Sequence, residues 1–208
     1  MTHPMDAILS AAPVIPVLVI ERIDSAVPLA RALVAGGLTS LEVTLRTPVA
    51  LEAIRAMAEA VPEARVGVGT VLTGDDLDAA HDAGAVFAVA PGASPALLRA
   101  ASDHPLPLLP GAATASEVMQ LMEHGYLHQK FFPAAAAGGP KLLKSIGGPL
   151  PQVRFCPTGG IDAASAPSWL ELSNVACIGG SWVAPRALIE EESWQQITGL
   201  ARAAVQLG

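Results

Sequence analysis

The first apolar run of the sequence is Val14-Ile15-Pro16-Val17-Leu18-Val19-Ile20, which is rich in β-branched residues. Continuous runs of this kind are typical of parallel strands that are covered on both faces. Seven more runs follow, with successive starts 21 to 26 residues apart, and a helical pattern comes after each of them. This spacing predicts repeated βα units, because parallel strands need a crossover connection between them.

The eight runs begin near Val14, Ser40, Ala64, Ala85, Leu106, Leu127, Gln152 and Val175. Eight strands with eight following helices predict an α/β fold, a (β/α)8 TIM barrel, with a short extra helix before it at residues 6–12. An open doubly wound sheet is the alternative arrangement of βα units. No composition shift or linker marks a boundary, so residues 1–208 are predicted to form a single barrel domain.

The composition excludes several classes of protein. Hydrophobic residues make up 51% of the 208 residues and charged residues 15%, which argues against a disordered chain or a coiled coil. The net charge of −7 argues against a nucleic-acid partner. No uncharged stretch reaches the length of a membrane helix, and no secretory signal is apparent, so a cytoplasmic protein without a membrane partner is expected. The two cysteines, Cys156 and Cys177, lie in apolar surroundings and are expected to be core residues.

Lysine is scarce, and one of the three lysines stands apart from the others. Lys141 and Lys144 fall on a predicted helix, whereas Lys130 lies in the sixth predicted strand, just before Phe131 and Phe132. A lysine in such apolar surroundings must be paired with an opposite charge or give up its proton more easily. A neutral amine there is a nucleophile that forms a Schiff base with a carbonyl substrate. The alternative is a strand-end lysine that reaches solvent or contacts a phosphate.

The second predicted strand alternates polar and apolar side chains. Period-two geometry places Glu42, Thr44 and Arg46 on one side of this strand. At the inner face of a barrel, Glu42 is a candidate for proton transfer and Arg46 for binding a substrate carboxylate. A structural ion pair between Glu42 and Arg46 is the alternative interpretation.

Glycine-rich turns follow the seventh and eighth predicted strands. They contain Thr158-Gly159-Gly160 and Gly179-Gly180-Ser181. In barrels these two loops frequently bind phosphate through backbone N–H groups and a helix N-terminus, although tight turns also use paired glycines. Thr70 and Pro91, at the ends of the third and fourth strands, are candidates for substrate contact or for simple turn formation.

A metal site is not expected. His124 and His128 are four residues apart, but Gly125 and a helix-to-strand break separate them. The two imidazoles should therefore not share a helical face, as a pair of ligands at this spacing would have to.

The motifs taken together closely resemble the 2-keto-3-deoxy-6-phosphogluconate (KDPG) aldolase family, the class I pyruvate aldolases of the Entner–Doudoroff pathway. The resemblance runs in order and spacing from about residue 6 to the C-terminus. It is carried by Leu41-Glu42-Val43-Thr44-Leu45-Arg46-Thr47, Gly67-Val68-Gly69-Thr70-Val71-Leu72, Lys130-Phe131-Phe132-Pro133-Ala134, Arg154-Phe155-Cys156-Pro157-Thr158-Gly159-Gly160 and Cys177-Ile178-Gly179-Gly180-Ser181-Trp182.

The resemblance implies a homotrimeric barrel that cleaves a phosphorylated keto acid to pyruvate and glyceraldehyde 3-phosphate, without a metal or other cofactor. It also implies activity on 4-hydroxy-2-oxoglutarate, which gives pyruvate and glyoxylate. Lys130 would form the Schiff base, and Glu42 would be the general acid and base, acting through a water. The pyruvate end would be bound by Arg46, Thr70, Pro91 and Phe132. The phosphate end would be bound by Thr158, Gly159, Gly160, Gly179, Gly180 and Ser181.

The sequence departs from the family pattern at two places. The family usually continues its lysine strand with Pro-Ala-Glu and then often Asn, whereas residues 134–137 are all alanine here, and Ala90 stands where serine is usual. These changes affect the polarity of the pocket and the preference for the aldehyde.

Two rival functions stay open at this point. A phosphate-binding barrel isomerase or synthase, or a non-catalytic phosphosugar-binding barrel, would use the same glycine turns but would not need Lys130.

Overall fold

Parallel strands alternate with helices throughout a computed structural model, which describes residues 4–208. The strands are β1 (Val14–Leu18), β2 (Ser40–Thr44), β3 (Arg65–Gly69), β4 (Ala88–Val89), β5 (Leu108–Leu109), β6 (Gly111–Ala112), β7 (His128–Phe131), β8 (Arg154–Pro157) and β9 (Ile178–Gly180). The helices are α1 (Pro4–Leu9), α2 (Ala26–Ala35), α3 (Ala50–Ala60), α4 (Gly74–Asp82), α5 (Pro95–Ala101), α6 (Ala115–Glu123), α7 (Ala134–Ala137), α8 (Gly139–Gly147), α9 (Ala166–Leu170), α10 (Arg186–Glu190) and α11 (Trp194–Val205), with a 3-10 turn at Ile23–Ser25. Within residues 4–208, no helix has the length and apolar character needed to cross a membrane.

The strands form two parallel sheets. Six strands make a curled sheet in the order β5-β4-β3-β2-β1-β9, and three make a second sheet in the order β6-β7-β8. Only Pro110 separates β5 from β6, and single bridges join Phe155 to Val175 and Thr158 to Gly179. The molecule is therefore an α/β fold built on a curled six-stranded parallel sheet. The apolar runs predicted the α/β class and the parallel strands.

The predicted strand starts lie within three residues of the observed ones. The largest differences are at β4 and β9, where the apolar run begins before the ladder does. The fifth predicted strand is divided at Pro110, because proline has no N–H to donate to a ladder. The neighbouring strand still uses this residue, since the Lys130 N–H donates to the Pro110 carbonyl at 2.8 Å.

The extra helix α1 covers the N-terminal ends of the strands. Met5, Ile8 and Leu9 of this helix are buried in a cluster that also contains Phe87. Polar contacts attach the helix at two strand starts: the Ser40 hydroxyl donates to the Ile8 carbonyl at 3.1 Å, and His128 Nε2 lies 2.7 Å from Asp6 Oδ1. This confirms the predicted early helix, shifted from residues 6–12 to Pro4–Leu9. With this end covered, the open end is the one where the strands finish.

A capping box begins α6 and gives a pH-dependent contribution to stability. The Glu117 carboxylate accepts the backbone N–H groups of Ala113 and Thr114 at 2.8 and 2.9 Å. These hydrogen bonds, that from Ala113 foremost, hold the pKa of Glu117 below its ordinary value of 4.5, against the opposite effect of burial. A lowered folded-state pKa stabilises the fold above the unfolded-state value, and this stabilisation is lost as the pH falls through the folded-state value.

We expect Glu117→Ala to lower the free energy of unfolding by about 1 kcal/mol at neutral pH, and by less in acid. Urea denaturation at neutral pH and at a pH below the ordinary carboxyl pKa measures both differences. Glu123→Ala, at the other end of the same helix, is the matched control and should leave the pH dependence unchanged. An equal loss of stability at the two pH values would contradict this role of Glu117.

Candidate active site

The polar face of β2 points into the space between the sheets. Glu42 and Thr44 are both buried, as are the other three residues of β2. The Thr44 hydroxyl donates to the Leu18 carbonyl at 2.9 Å, which ties β2 to β1 and satisfies the hydroxyl. Glu42 is only 3% exposed, so its carboxylate needs a partner of opposite charge or hydrogen-bond donors.

That partner is Lys130 on β7. Lys130 Nζ lies 3.4 Å from Glu42 Oε1, and Lys130 is only 4% exposed. The two residues come from different sheets and are 88 residues apart in the chain. The distance is longer than a charge-assisted N–H···O bond of about 2.8 Å, so the amine is held near the carboxylate but not tightly against it. A buried amine beside a proton acceptor is what a Schiff-base nucleophile requires.

This pair excludes two of the alternative interpretations. Lys130 is a buried residue and does not reach solvent. Between Glu42 and Arg46, both within the described residues, there is no ion pair, since Glu42 pairs with Lys130 and Arg46 bonds to Thr70 instead.

Phe132 links the lysine to one glycine turn. Lys130 Nζ lies 5.2 Å from the centroid of the Phe132 ring, within the range of a cation–π contact. The same ring lies against Gly159, where a Cβ would come within 3.3 Å of Phe132 Cε2. Phe132 therefore forms a wall between the amine and the turn after β8.

Arg46 and Thr70 form a second polar pair at the strand ends. Arg46 Nε donates to Thr70 Oγ1 at 3.2 Å, and this bond uses one of the five N–H donors of the guanidinium. Thr70 has a φ of +63°, a left-handed conformation that is rare for a β-branched residue. Strained backbone of this kind persists where surrounding structure enforces it, and it clusters at functional sites.

The Pro91 turn lies beside the lysine strand. Pro91 is half-buried and follows β4. A Cβ at Gly111 would lie 2.3 Å from the Pro91 carbonyl oxygen, and Gly111 is the register partner of Lys130. The absence of a side chain at Gly111 therefore lets the turn approach the strand next to Lys130. Sequence reasoning missed Gly111, although glycine inside a strand pattern commonly marks such a close backbone approach.

The two predicted phosphate turns lie side by side. Thr158 bridges to Gly179, where a Cβ would lie 2.2 Å from Thr158 Oγ1. Gly159 and Gly160 have φ values of +105° and +72°, which only glycine adopts without strain. Gly180 is buried beneath the Trp182 ring, and the neighbouring Ser181 is exposed.

The helices that follow the two glycine turns are short. A helix N-terminus was expected to share in the binding, but α9 and α10 have five residues each and begin at Ala166 and Arg186, beyond the turns. Because the field of a helix end falls off within about one turn, the backbone N–H groups of the glycine turns remain the predicted phosphate donors.

The alanine tract lies next to the first of these turns. Residues 134–137 form α7, and the N–H of Ala135 donates to the Gly159 carbonyl at 3.0 Å. A Cβ at Gly160 would lie 2.8 Å from Ala135 Cβ. The departure from the family pattern therefore places a methyl group, not a carboxylate, beside the predicted phosphate turn.

The two cysteines are core residues, as expected. Cys156 and Cys177 are buried, and Cys156 is the register partner of Lys130 on β8. A hydrogen bond that the Cys177 thiol donates to Cys156, together with burial, raises the pKa of Cys177 well above its ordinary value. This thiol stays protonated at neutral pH and is a poor nucleophile. Over residues 4–208, no group of His, Cys, Asp and Glu side chains is arranged to hold a metal ion.

Known proteins share both the sequence and the fold. A family model described as KDPG and KHG aldolase matches residues 5–200. The KHG/KDPG aldolase of Escherichia coli (strain K12) is 52% identical over 201 residues, which are 97% of this chain and 94% of that protein.

Two solved structures are similar over nearly their whole length. The KDPG aldolase of Legionella pneumophila, with pyruvate captured at low pH as a covalent carbinolamine intermediate, is 48% identical with a TM-score of 0.95 and covers 98% of both chains. The 2-keto-3-deoxy-6-phosphogluconate aldolase of Zymomonas mobilis ZM4, with 3-phosphoglycerate, is 50% identical with a TM-score of 0.92 and covers 98% of this chain and 96% of that one. With a family model spanning most of its length and a relative at 52% identity, the chain belongs to the KDPG and KHG aldolase family.

Proposed function

We propose that this chain is a class I aldolase that cleaves 2-keto-3-deoxy-6-phosphogluconate to pyruvate and glyceraldehyde 3-phosphate. The observation that carries the proposal is the buried pair of Lys130 and Glu42, with Nζ and Oε1 3.4 Å apart. The relatives named for the same substrate support it, and the names that include KHG support a second activity, cleavage of 4-hydroxy-2-oxoglutarate to pyruvate and glyoxylate.

In the first step, Lys130 in its neutral form adds to the C2 ketone of the substrate. The product is a carbinolamine, and loss of water from it leaves an iminium ion. Glu42 lies close enough to Nζ to accept and return protons during these transfers, directly or through one water. The carbinolamine captured in the Legionella pneumophila relative supports this step.

In the second step, the C3–C4 bond breaks and its electron pair moves into the iminium, which gives an enamine. Glu42, acting through a water, takes the proton of the C4 hydroxyl, and the aldehyde leaves. Glu42 then returns a proton to C3. Addition of water to the resulting iminium releases pyruvate and restores the Lys130 amine, so the water lost in the first step is regained.

The substrate is bound at its carboxylate end and at its phosphate end, and the breaking bond lies between them. Arg46 supplies the positive charge that attracts the carboxylate, and Thr70 holds the guanidinium through the 3.2 Å bond. Phe132 and the Pro91 turn enclose the pyruvyl group. Backbone N–H groups of the two glycine turns bind the phosphate, with Thr158 and Ser181. Such anchoring at both ends aligns the scissile bond with the catalytic groups.

We extend the proposal to the architecture and the assembly. The proposed architecture is a closed (β/α)8 barrel over a single domain. It takes β5 and β6 as one strand and joins the two sheets at the single bridges beside β8 and β9. The Lys130–Glu42 contact joins the two sheets and supports a closed interior. If the sheets were apart, each residue would have a charged group without its partner. The homotrimer is carried over from the family.

The proposal predicts pyruvate release from the phosphorylated keto acid, with one glyceraldehyde 3-phosphate formed for each pyruvate. Coupled assays should compare this substrate with its C4 epimer and with 4-hydroxy-2-oxoglutarate. Activity should persist in a chelator, because no step uses a metal. Binding of the keto acid without pyruvate release would favour the non-catalytic alternative, isomerisation without cleavage would favour the isomerase, and inactivation by the chelator would refute the mechanism.

A further inference from the structure

Gly69, the last residue of β3, lies directly against the carboxylate of Glu42. A Cβ at Gly69 would lie 2.2 Å from Glu42 Oε1, 2.7 Å from its Cγ and 2.8 Å from its Cδ. Carbon atoms in good contact are about 3.5–4.0 Å apart, so all three distances are far inside contact. The Glu42 carboxylate occupies the space that any side chain at position 69 would need.

This glycine is required for space and not for its backbone conformation. The φ of Gly69 is outside the left-handed region, in contrast to that of Thr70. Alanine is therefore allowed by the backbone at this position, and the three atoms nearest to its Cβ would all belong to the side chain of Glu42.

The surrounding backbone cannot easily move to make room. Gly69 is the register partner of Thr44 on β2, and its carbonyl accepts the Leu45 N–H at 2.9 Å. On its C-terminal side it continues into the strained Thr70, which accepts the hydrogen bond from Arg46. A displaced Gly69 would disturb both ends of this arrangement, so an added methyl group would move the Glu42 carboxylate instead.

We propose that Gly69 is a positioning residue that sets the place of the Glu42 carboxylate beside Lys130. This inference rests on the proposed function, because the consequence of moving the carboxylate is a loss of proton transfer. Gly69 touches no reacting atom itself. It acts by leaving open the space that the Glu42 carboxylate occupies 3.4 Å from Lys130 Nζ.

The test is Gly69→Ala, with exchange of the pyruvate methyl protons for deuterium in D₂O measured by NMR. This exchange needs the Schiff base and proton transfer at C3, but no aldehyde and no phosphate. We expect it to fall by about 100-fold or more, because a misplacement of about 1 Å costs that much. The kcat for cleavage should fall by a similar factor, while KM for the phosphorylated keto acid stays within about threefold, because the groups that bind its two ends are unchanged.

Gly67→Ala is the matched control on the same strand. Gly67 lies two residues earlier, on the same side of β3, and is the register partner of Glu42, but the three atoms nearest to a Cβ there belong to the Phe87 ring, the first at 2.3 Å. This variant should lose thermal stability, with its exchange rate per folded molecule within about threefold of the unaltered chain.

A second pair of variants keeps the test decisive if Gly69→Ala folds poorly. Glu42→Ala removes Oε1, Cγ and Cδ, the three Glu42 atoms that a new Cβ at position 69 would meet. We expect Gly69→Ala to lower the melting temperature in the unaltered chain but to change it little in the Glu42→Ala background. Additive losses of melting temperature would overturn the proposal, as would a folded Gly69→Ala variant that exchanges at the original rate.

Failure of the proposed function gives a different result. If the unaltered chain neither exchanges pyruvate protons nor releases pyruvate, the aldolase assignment fails and Gly69 has no catalytic carboxylate to position. If the unaltered chain is active and both glycine variants lose exchange equally, only the positioning proposal is overturned.

Discussion

Replacing Lys130 with methionine is expected to lower turnover of the phosphorylated keto acid by at least about 10⁴-fold, because methionine cannot form a Schiff base. Borohydride in the presence of pyruvate should add one pyruvate-derived mass label to the unaltered chain, at Lys130, and none to the variant. Mass spectrometry of peptides from the labelled protein locates the adduct. A label on Lys141 or Lys144 would contradict the assignment of Lys130.

The control for this variant must separate lost chemistry from lost folding. Lys130→Met leaves Glu42 buried without its partner, and removal of one member of a buried ion pair typically costs about 3–5 kcal/mol. Lys130→Arg keeps a positive charge near Glu42 but provides no amine that forms an imine. We therefore expect it to be more stable than Lys130→Met and equally inactive. Turnover by Lys130→Arg near that of the unaltered chain would refute the Schiff-base mechanism.

Glu42→Gln is expected to lower kcat by about 10³-fold, within the range that general acid–base catalysis supplies. Glutamine keeps the size of the side chain but cannot accept and return a proton. Borohydride trapping of pyruvate on Lys130 should persist, more slowly, since the nucleophile remains. Steady-state kinetics and the trapping rate together measure the two effects. A kcat that changes less than about tenfold would exclude Glu42 as the proton carrier.

Lys130→Met and Glu42→Gln are expected to interact in their effects on stability as well as on turnover. Each leaves one unpaired charge in the interior, whereas Lys130→Met combined with Glu42→Gln leaves none. We expect the double variant to unfold at a higher denaturant concentration than either single variant, as a double-mutant cycle on a buried pair predicts. Additive losses of stability would show that the 3.4 Å contact does not link the two charges.

Much of the fold and several site residues could be predicted from local pattern. The spacing of apolar runs located the strand starts to within three residues, because a strand that is buried on both faces consists of consecutive apolar residues. Period-two alternation placed Glu42 on the side of β2 that meets Lys130, since side-chain direction in a strand depends only on position along it. The prediction was wrong for Arg46, because β2 ends at Thr44 and Arg46 is exposed beyond it. The capping box at Thr114 and Glu117 is likewise local, since it needs only two residues three positions apart.

Other features could not be read from any single segment. Three features depend on how strands align with one another. They are the division of the fifth strand at Pro110, the short helices after the glycine turns, and the pairing of Glu42 with Lys130 instead of Arg46. Register is fixed by packing over the whole sheet, and no local pattern specifies which residues then face each other.

The sequence by itself determined the βα repeat, the inward side of β2 and the one lysine embedded in a strand, since each of these is a property of neighbouring residues. Only the tertiary structure decided that this lysine meets Glu42 across 88 residues, and that Gly69 leaves the space in which the carboxylate lies. The physical reason is that buried charges are stabilised by whichever opposite charge the packing brings within reach, and packing of atoms to contact distance is a property of the folded molecule alone.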